Sequence, residues 1–178
     1  MKRLYLIGGP MGVGKTAACR QLQRLLNRSV FLDGDWCWDM HPFVVSEETR
    51  AMVMDNIAHL LGNFLRCSSF DHVIFCWVMH QQTIIDELLA RLPLEGVRVV
   101  RVSLVCSEAA LAGRLSRDID AGLRTPDVLP RSLAYLPLYG ALDTIRLDTT
   151  HLTAAQTAQA ILRTANRHAA GSVTSETL

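Results

Sequence analysis

The chain has 178 residues, 49% of them hydrophobic and 20% charged, with a formal net charge of +1. That length supports one well-packed domain rather than two, and the balanced charge gives no electrostatic basis for a nucleic-acid or membrane partner. The five cysteines, Cys19, Cys37, Cys67, Cys76 and Cys106, are odd in number and contain no CxxC pair, so they read as reduced thiols of a cytoplasmic protein.

Met1-Lys2-Arg3 followed by Leu4-Tyr5-Leu6-Ile7 has the outline of a leader peptide. Its apolar run breaks at Gly8-Gly9-Pro10, so it is read as a short buried strand. Gly9-Pro10-Met11-Gly12-Val13-Gly14-Lys15-Thr16 follows at once and fits GxxxxGK[ST], and Ala17 to Leu26 has the apolar spacing of a helix. Strand, glycine loop and helix in that order predict a phosphate-binding loop, with backbone N–H groups turned inward and the helix N-terminus adding its dipole.

A second strand, Ser29-Val30-Phe31-Leu32, ends at Asp33-Gly34-Asp35. A connection through Trp36, Trp38, His41 and Pro42 reaches Ser46, an N-cap followed by Glu47 and Glu48. Val53, Ile57, Leu60, Leu61 and Phe64 then recur at helical spacing. His72 to Val78 is an almost wholly apolar third strand, and Gln81 to Leu92 a helix stopped by Pro93. Val97 to Val105 is a fourth strand, and Ser107 caps a helix bearing Leu111, Leu115 and Ile119.

Pro126, Pro130 and Pro137 interrupt the next stretch, which reads as a mobile cover over about residues 117–140. Thr144 to Leu147 is a fifth strand, and Thr153-Ala154-Ala155-Gln156 a capping box opening the last helix. Residues 171–178 read as a disordered tail, leaving 1–170 as one domain. Alternating strands and helices predict a parallel sheet covered on both faces, with ligands at the carboxyl ends of the strands.

Phosphoryl transfer needs held phosphates, a metal, positive charge at the migrating group and a base near the acceptor. Gly9, Met11, Gly12, Val13, Gly14, Lys15, Thr16 and Ala17 are expected to cradle ATP, with Lys15 reaching its β- and γ-phosphates. Thr16 and Asp33 are assigned to Mg²⁺, and Asp35 to the acceptor proton. Arg117 and Arg124 are assigned to phosphate in the transition state, Arg114 to the nucleotide, and Arg131 to the acceptor. Trp36, Trp38, Trp77 and His80 are candidate walls of an acceptor pocket, with core packing favoured for Trp77. Cys37-x-x-x-His41 and Cys76-x-x-x-His80 lack the spacing of a common zinc site. The third strand ends without the acidic residue that a motor or switch ATPase places there, which weighs against a free-standing hydrolase.

With these residues in place the chain resembles the small P-loop kinases of the nucleoside-monophosphate-kinase-like group. Phe31-Leu32-Asp33-Gly34-Asp35 is similar to the segment after the second strand of bacterial gluconate kinases, which implies an acceptor-site role for Asp35. Leu147-Asp148-Thr149-Thr150-His151 is similar to a segment of chloramphenicol phosphotransferase. That likeness implies backbone contacts from Asp148 and Thr149 to adenine. Asp-Gly-Asp-Trp-Cys-Trp and Phe-Cys-Trp-Val-Met-His also resemble segments of bacterial proteins labelled AAA-type ATPases or nucleotide kinases.

The fold expected is the three-layer α/β P-loop NTPase fold, with a five-stranded parallel sheet in the order 2-3-1-4-5 and a small lid. The activity expected is transfer of the γ-phosphate of ATP, with Mg²⁺, to a hydroxyl of a small-molecule acceptor. A nucleoside monophosphate as acceptor is the first alternative, and a nucleotide-binding regulatory module the second. Homodimerisation is left open.

Overall fold

The computed structural model describes residues 1–170, and the side chains of residues 1–167. The tail expected over 171–178 lies outside the described residues. Five strands form one parallel sheet: β1 (Lys2–Gly8), β2 (Ser29–Asp33), β3 (His72–Cys76), β4 (Val97–Val105) and β5 (Ile145–Asp148), in the order β2-β3-β1-β4-β5. The order matches the expectation, and β1 lies at the centre, paired with β3 on one side and β4 on the other.

The period-2 alternation of a strand sends neighbouring side chains of β1 to opposite faces. Tyr5 and Ile7 join one core, built with α1 (Lys15–Leu25), α4 (Glu108–Asp120) and α6 (Ala154–Ala170) through Leu22, Leu111, Leu115 and Ile161. Leu4 and Leu6 join the other, with α2 (Glu47–Arg66) and α3 (Gln82–Ala90) through Val53, Ile57, Leu61 and Leu88. The two cores account for the helical spacing read along the chain. They give the three layers.

The helix starts follow the expected caps. Ser46 Oγ accepts from Thr49 N at 3.1 Å while Ser46 N donates to Thr49 Oγ1 at 2.8 Å, closing a reciprocal box. Ser107 Oγ accepts from Ala110 N at 3.2 Å, and Thr153 with Gln156 forms the second box, at 2.9 and 3.2 Å. No helix among the described residues is long and apolar enough to cross a membrane.

The cover departs from expectation in one half. Residues 121–127 are all exposed, as a cover requires. Beyond them stand α5 (Val128–Tyr135) and a 3₁₀ turn, Leu136–Ala141, and both pack onto the body of the fold. Val128, Ser132 and Tyr139 are buried, and Ser132 Oγ donates to Met11 O in the phosphate loop at 2.6 Å. Pro130 sits in the first turn of α5 and Pro137 near the start of the 3₁₀ turn, where a missing N–H costs no intrahelical bond. Two of the three prolines that suggested a loose segment, Pro130 and Pro137, start helical turns instead.

Candidate active site

The loop between β1 and α1 bends inward because its glycines reach backbone conformations closed to other residues. Gly12 has φ +80° and a Cβ there would overlap the Leu115 side chain, while Gly14 caps α1 at φ +101°. Lys15 is buried, 8% exposed, and its Nζ donates to Gly9 O at 2.9 Å and Pro10 O at 3.0 Å. Burial holds the Lys15 ammonium below the usual lysine range; the Asp35 and Asp33 carboxylates partly oppose that shift.

Thr16 Oγ1 donates to Asp33 Oδ2 at 2.6 Å, and the other Asp33 oxygen accepts from Asp35 N at 3.1 Å. Asp33 is 4% exposed and pairs in register with Cys76, the last residue of β3. The carboxylate missing from the end of β3 therefore stands one strand over, at the end of β2, already bonded to the loop hydroxyl. Two oxygen donors of this kind fit a hard divalent cation such as Mg²⁺.

Asp35 is the second residue of the 3₁₀ turn Gly34–Trp38 and faces a cleft of about 430 Å³ above the loop. Met11, Gly12, Gly14, Lys15, Thr16 and Ala17 form its floor. Arg114, Arg117, Arg124 and Asp118 form its wall. The Asp35 carboxylate meets solvent in this cleft, yet the crowding of protein around it raises its pKa above the usual aspartate value. Desolvation is the main cause, and Lys15 and Arg124 pull in the opposite direction.

Arg114 lines the cleft while tied to the protein, and several other expected residues lie off its surface. Arg114 is held by the protein itself: its Nη groups donate to Val13 O at 3.0 Å and Thr149 O at 2.6 Å. It joins the phosphate loop to the turn after β5. Thr149 is buried and Asp148 Oδ1 accepts from Thr150 N at 2.8 Å, so neither side chain lines the cleft. Gly9 and Val13 also lie off its surface, Val13 in the core.

The aromatic residues proposed as pocket walls separate. Trp77 packs against Gly34, where a Cβ would come within 2.6 Å of its Cγ, so Trp77 supports the turn carrying Asp35 from below. Gly34→Ala is expected to cost about 1–3 kcal/mol through overpacking, read as a fall in melting temperature. Trp38 packs on Phe43, with ring centroids 5.8 Å apart. Trp36 lies against Phe31 and lines a different cleft, of about 460 Å³, with Met40 and the α2 residues Met52 and His59. His80 stacks on Tyr135 of α5 at 4.2 Å and 7°. Arg131 pairs with Asp127 at 3.4 Å on the surface and does not line the cleft.

Sequence reasoning missed Ser132, Tyr135 and Asp118. Only Asp118 carried a signal, as an acid one residue after Arg117.

Solved structures of similar fold include small kinases. A gluconokinase from Sinorhizobium meliloti 1021 superposes with a TM-score of 0.71 at 19% identity, covering 97% of each chain. A sugar kinase from Janibacter sp. HTCC2649 gives 0.71 at 18% identity, over 93% of this chain and 95% of that one. A shikimate kinase from Acinetobacter baumannii, in complex with shikimate, gives 0.63 at 23% identity over 94% of each. At these identities the likeness establishes the fold, that of the small P-loop kinases. No curated protein matches the chain. Residues 6–122, more than half of the chain, match the family described as AAA domain. The chain therefore belongs to the AAA-domain family.

Proposed function

We propose that the protein transfers the γ-phosphate of ATP to a hydroxyl of a small-molecule acceptor. The observation that carries this reading is the meeting of Lys15, Thr16 and Asp35 in one cleft, with Asp33 bonded to Thr16 beneath it. A hydrolase needs only to orient water; a carboxylate facing the cleft beside the lysine suits proton removal from an acceptor hydroxyl. Neighbours in fold include a gluconokinase, a sugar kinase and a shikimate kinase, which favours a hydroxyl-bearing acceptor.

In this reading the loop backbone binds the triphosphate, and Lys15, Arg117 and Arg124 offset charge on the migrating group. Thr16 and Asp33 would hold Mg²⁺, which would neutralise phosphate charge. Arg114 fixes the turn at Asp148 and Thr149, against which the adenine lies. Asp35 takes the acceptor proton while the exposed segment 121–127 closes over the cleft and excludes water. Trp77 holds the Asp35 turn, and the His80–Tyr135 stack borders the acceptor side.

The test is ADP release by the purified protein with Mg²⁺ and ATP against sugars, sugar acids, nucleosides, nucleoside monophosphates and hydroxylated antibiotics. Release that depends on one acceptor class is expected. Strong turnover confined to a nucleoside monophosphate would replace this reading with nucleotide kinase. ATP binding with no acceptor-dependent release across the panel would favour a regulatory module.

A further inference from the structure

Asp118 and Asp35 are the two acids that line the cleft, and the activity proposed above gives a task to Asp35 but none to Asp118. Asp118 lies in the last turn of α4, one residue after Arg117, and its carboxylate Oδ2 accepts from Arg124 Nε at 3.0 Å. Its backbone carbonyl accepts from Leu123 N at 2.8 Å, across the bend at Gly122, where φ is +70°. Asp118 thus grips the start of the exposed segment twice, once by backbone and once by side chain.

The chemistry of the grip is directional. Arg carries five N–H donors in a rigid fork. Engagement at Nε takes one of them and leaves the four Nη hydrogens free for phosphate oxygens. Every residue from 121 to 127 is exposed, so no burial fixes the Arg124 guanidinium. Arg124 lines the same cleft as Lys15, Asp35 and the phosphate-loop residues Gly12, Gly14 and Thr16. A carboxylate beside an incoming triphosphate is repulsive unless it orients a cation more than it repels the anion.

We propose that Asp118 is a positioning residue that presents Arg124 to the γ-phosphate. The inference rests on the reading of this cleft as a triphosphate site, and it needs no particular acceptor. It makes the preference for ATP over ADP depend on Asp118 through Arg124 alone.

The test is the ratio of ADP to ATP dissociation constants, with Mg²⁺, for wild type, Asp118→Ala, Arg124→Ala and the double variant. Each single variant is expected to lower the preference for ATP by about tenfold, the worth of a charged hydrogen bond. The double variant is expected to lower it no further, because the two residues act as one unit. Asp118→Glu should keep most of the preference, and melting curves of each variant should show an intact fold. A stronger ATP preference in Asp118→Ala would mean that the carboxylate competes with phosphate for Arg124, and would overturn the inference. So would an unchanged preference, or a loss that persists undiminished in the Arg124→Ala background. A wild type that prefers ATP while the variants show one of these patterns refutes the role of Asp118 alone. A wild type that binds neither nucleotide refutes the triphosphate reading and this inference with it.

Discussion

Lys15→Ala is expected to lower acceptor-dependent turnover by at least 10²–10³-fold, on the order seen when one preorganised charge donor is removed from a transition state. Lys15 is positioned before any ligand arrives, on the carbonyls of Gly9 and Pro10. Burial lowers its pKa, which means that the charged form is under-solvated in the empty loop. A lysine shifted down adds stability above its unfolded pKa and loses it as pH falls through the folded value, so at neutral pH the charge is a cost to folding. The variant should accordingly melt no lower than wild type without nucleotide, and should lose the upward shift that ATP gives wild type. Turnover and melting with and without ATP and Mg²⁺ measure both halves. Undiminished turnover would exclude Lys15 from the chemistry.

Asp35→Asn should cost about 10²–10⁴ in turnover, the range for loss of a general base, with ATP binding largely kept. The amide has no lone pair basic enough to take the acceptor proton. Because protein crowding raises the pKa of Asp35, the acid limb of the wild-type rate profile should lie above the usual aspartate range. Activity falls as pH drops through that value, and the limb should vanish in the residual activity of the variant. The stability effect has the opposite sign: an aspartate with a raised pKa stabilises the fold only below its unfolded pKa, and that contribution is gone once pH rises past the folded one. At neutral pH the asparagine variant should melt slightly higher than wild type. The effect is modest, since the carboxylate meets solvent in the cleft. A variant that loses turnover while gaining stability separates a working residue from a structural one.

The sheet order, the two cores and the caps at Ser46, Ser107 and Thr153 were legible because each rests on a local pattern that tertiary structure reinforces. The phosphate loop was legible for the same reason: its glycines, lysine and threonine are consecutive. Strand and helix limits moved by a residue or two, as at β3, which ends at Cys76 although Trp77 N still donates to Ile7 O at 3.2 Å. The segment after α4 was half misread. Prolines at helix starts and prolines in loops look alike in sequence, and only the burial of Val128, Ser132 and Tyr139 tells them apart. The arginines show the same limit. Four arginines within eighteen residues were given to phosphate, nucleotide or acceptor from their position in the chain, whereas the carbonyl or carboxylate within reach of each is set by the fold. Arg114 is consumed by backbone carbonyls, Arg131 by Asp127, and Arg124 is held by Asp118 on the cleft. Trp36 and Trp38 part because a 3₁₀ turn points successive side chains in different directions, so sequence proximity did not make a pocket.

The most direct measurement is the fate of the γ-phosphate. ATP labelled at that position is incubated with the protein, Mg²⁺ and a fractionated extract of small metabolites, and the label is followed by chromatography and mass spectrometry. A small-molecule kinase should yield a labelled phosphate ester of one hydroxyl compound, formed by wild type and lost with Lys15→Ala and Asp35→Asn. Label recovered only as ATP and inorganic phosphate, in every fraction, would contradict that activity.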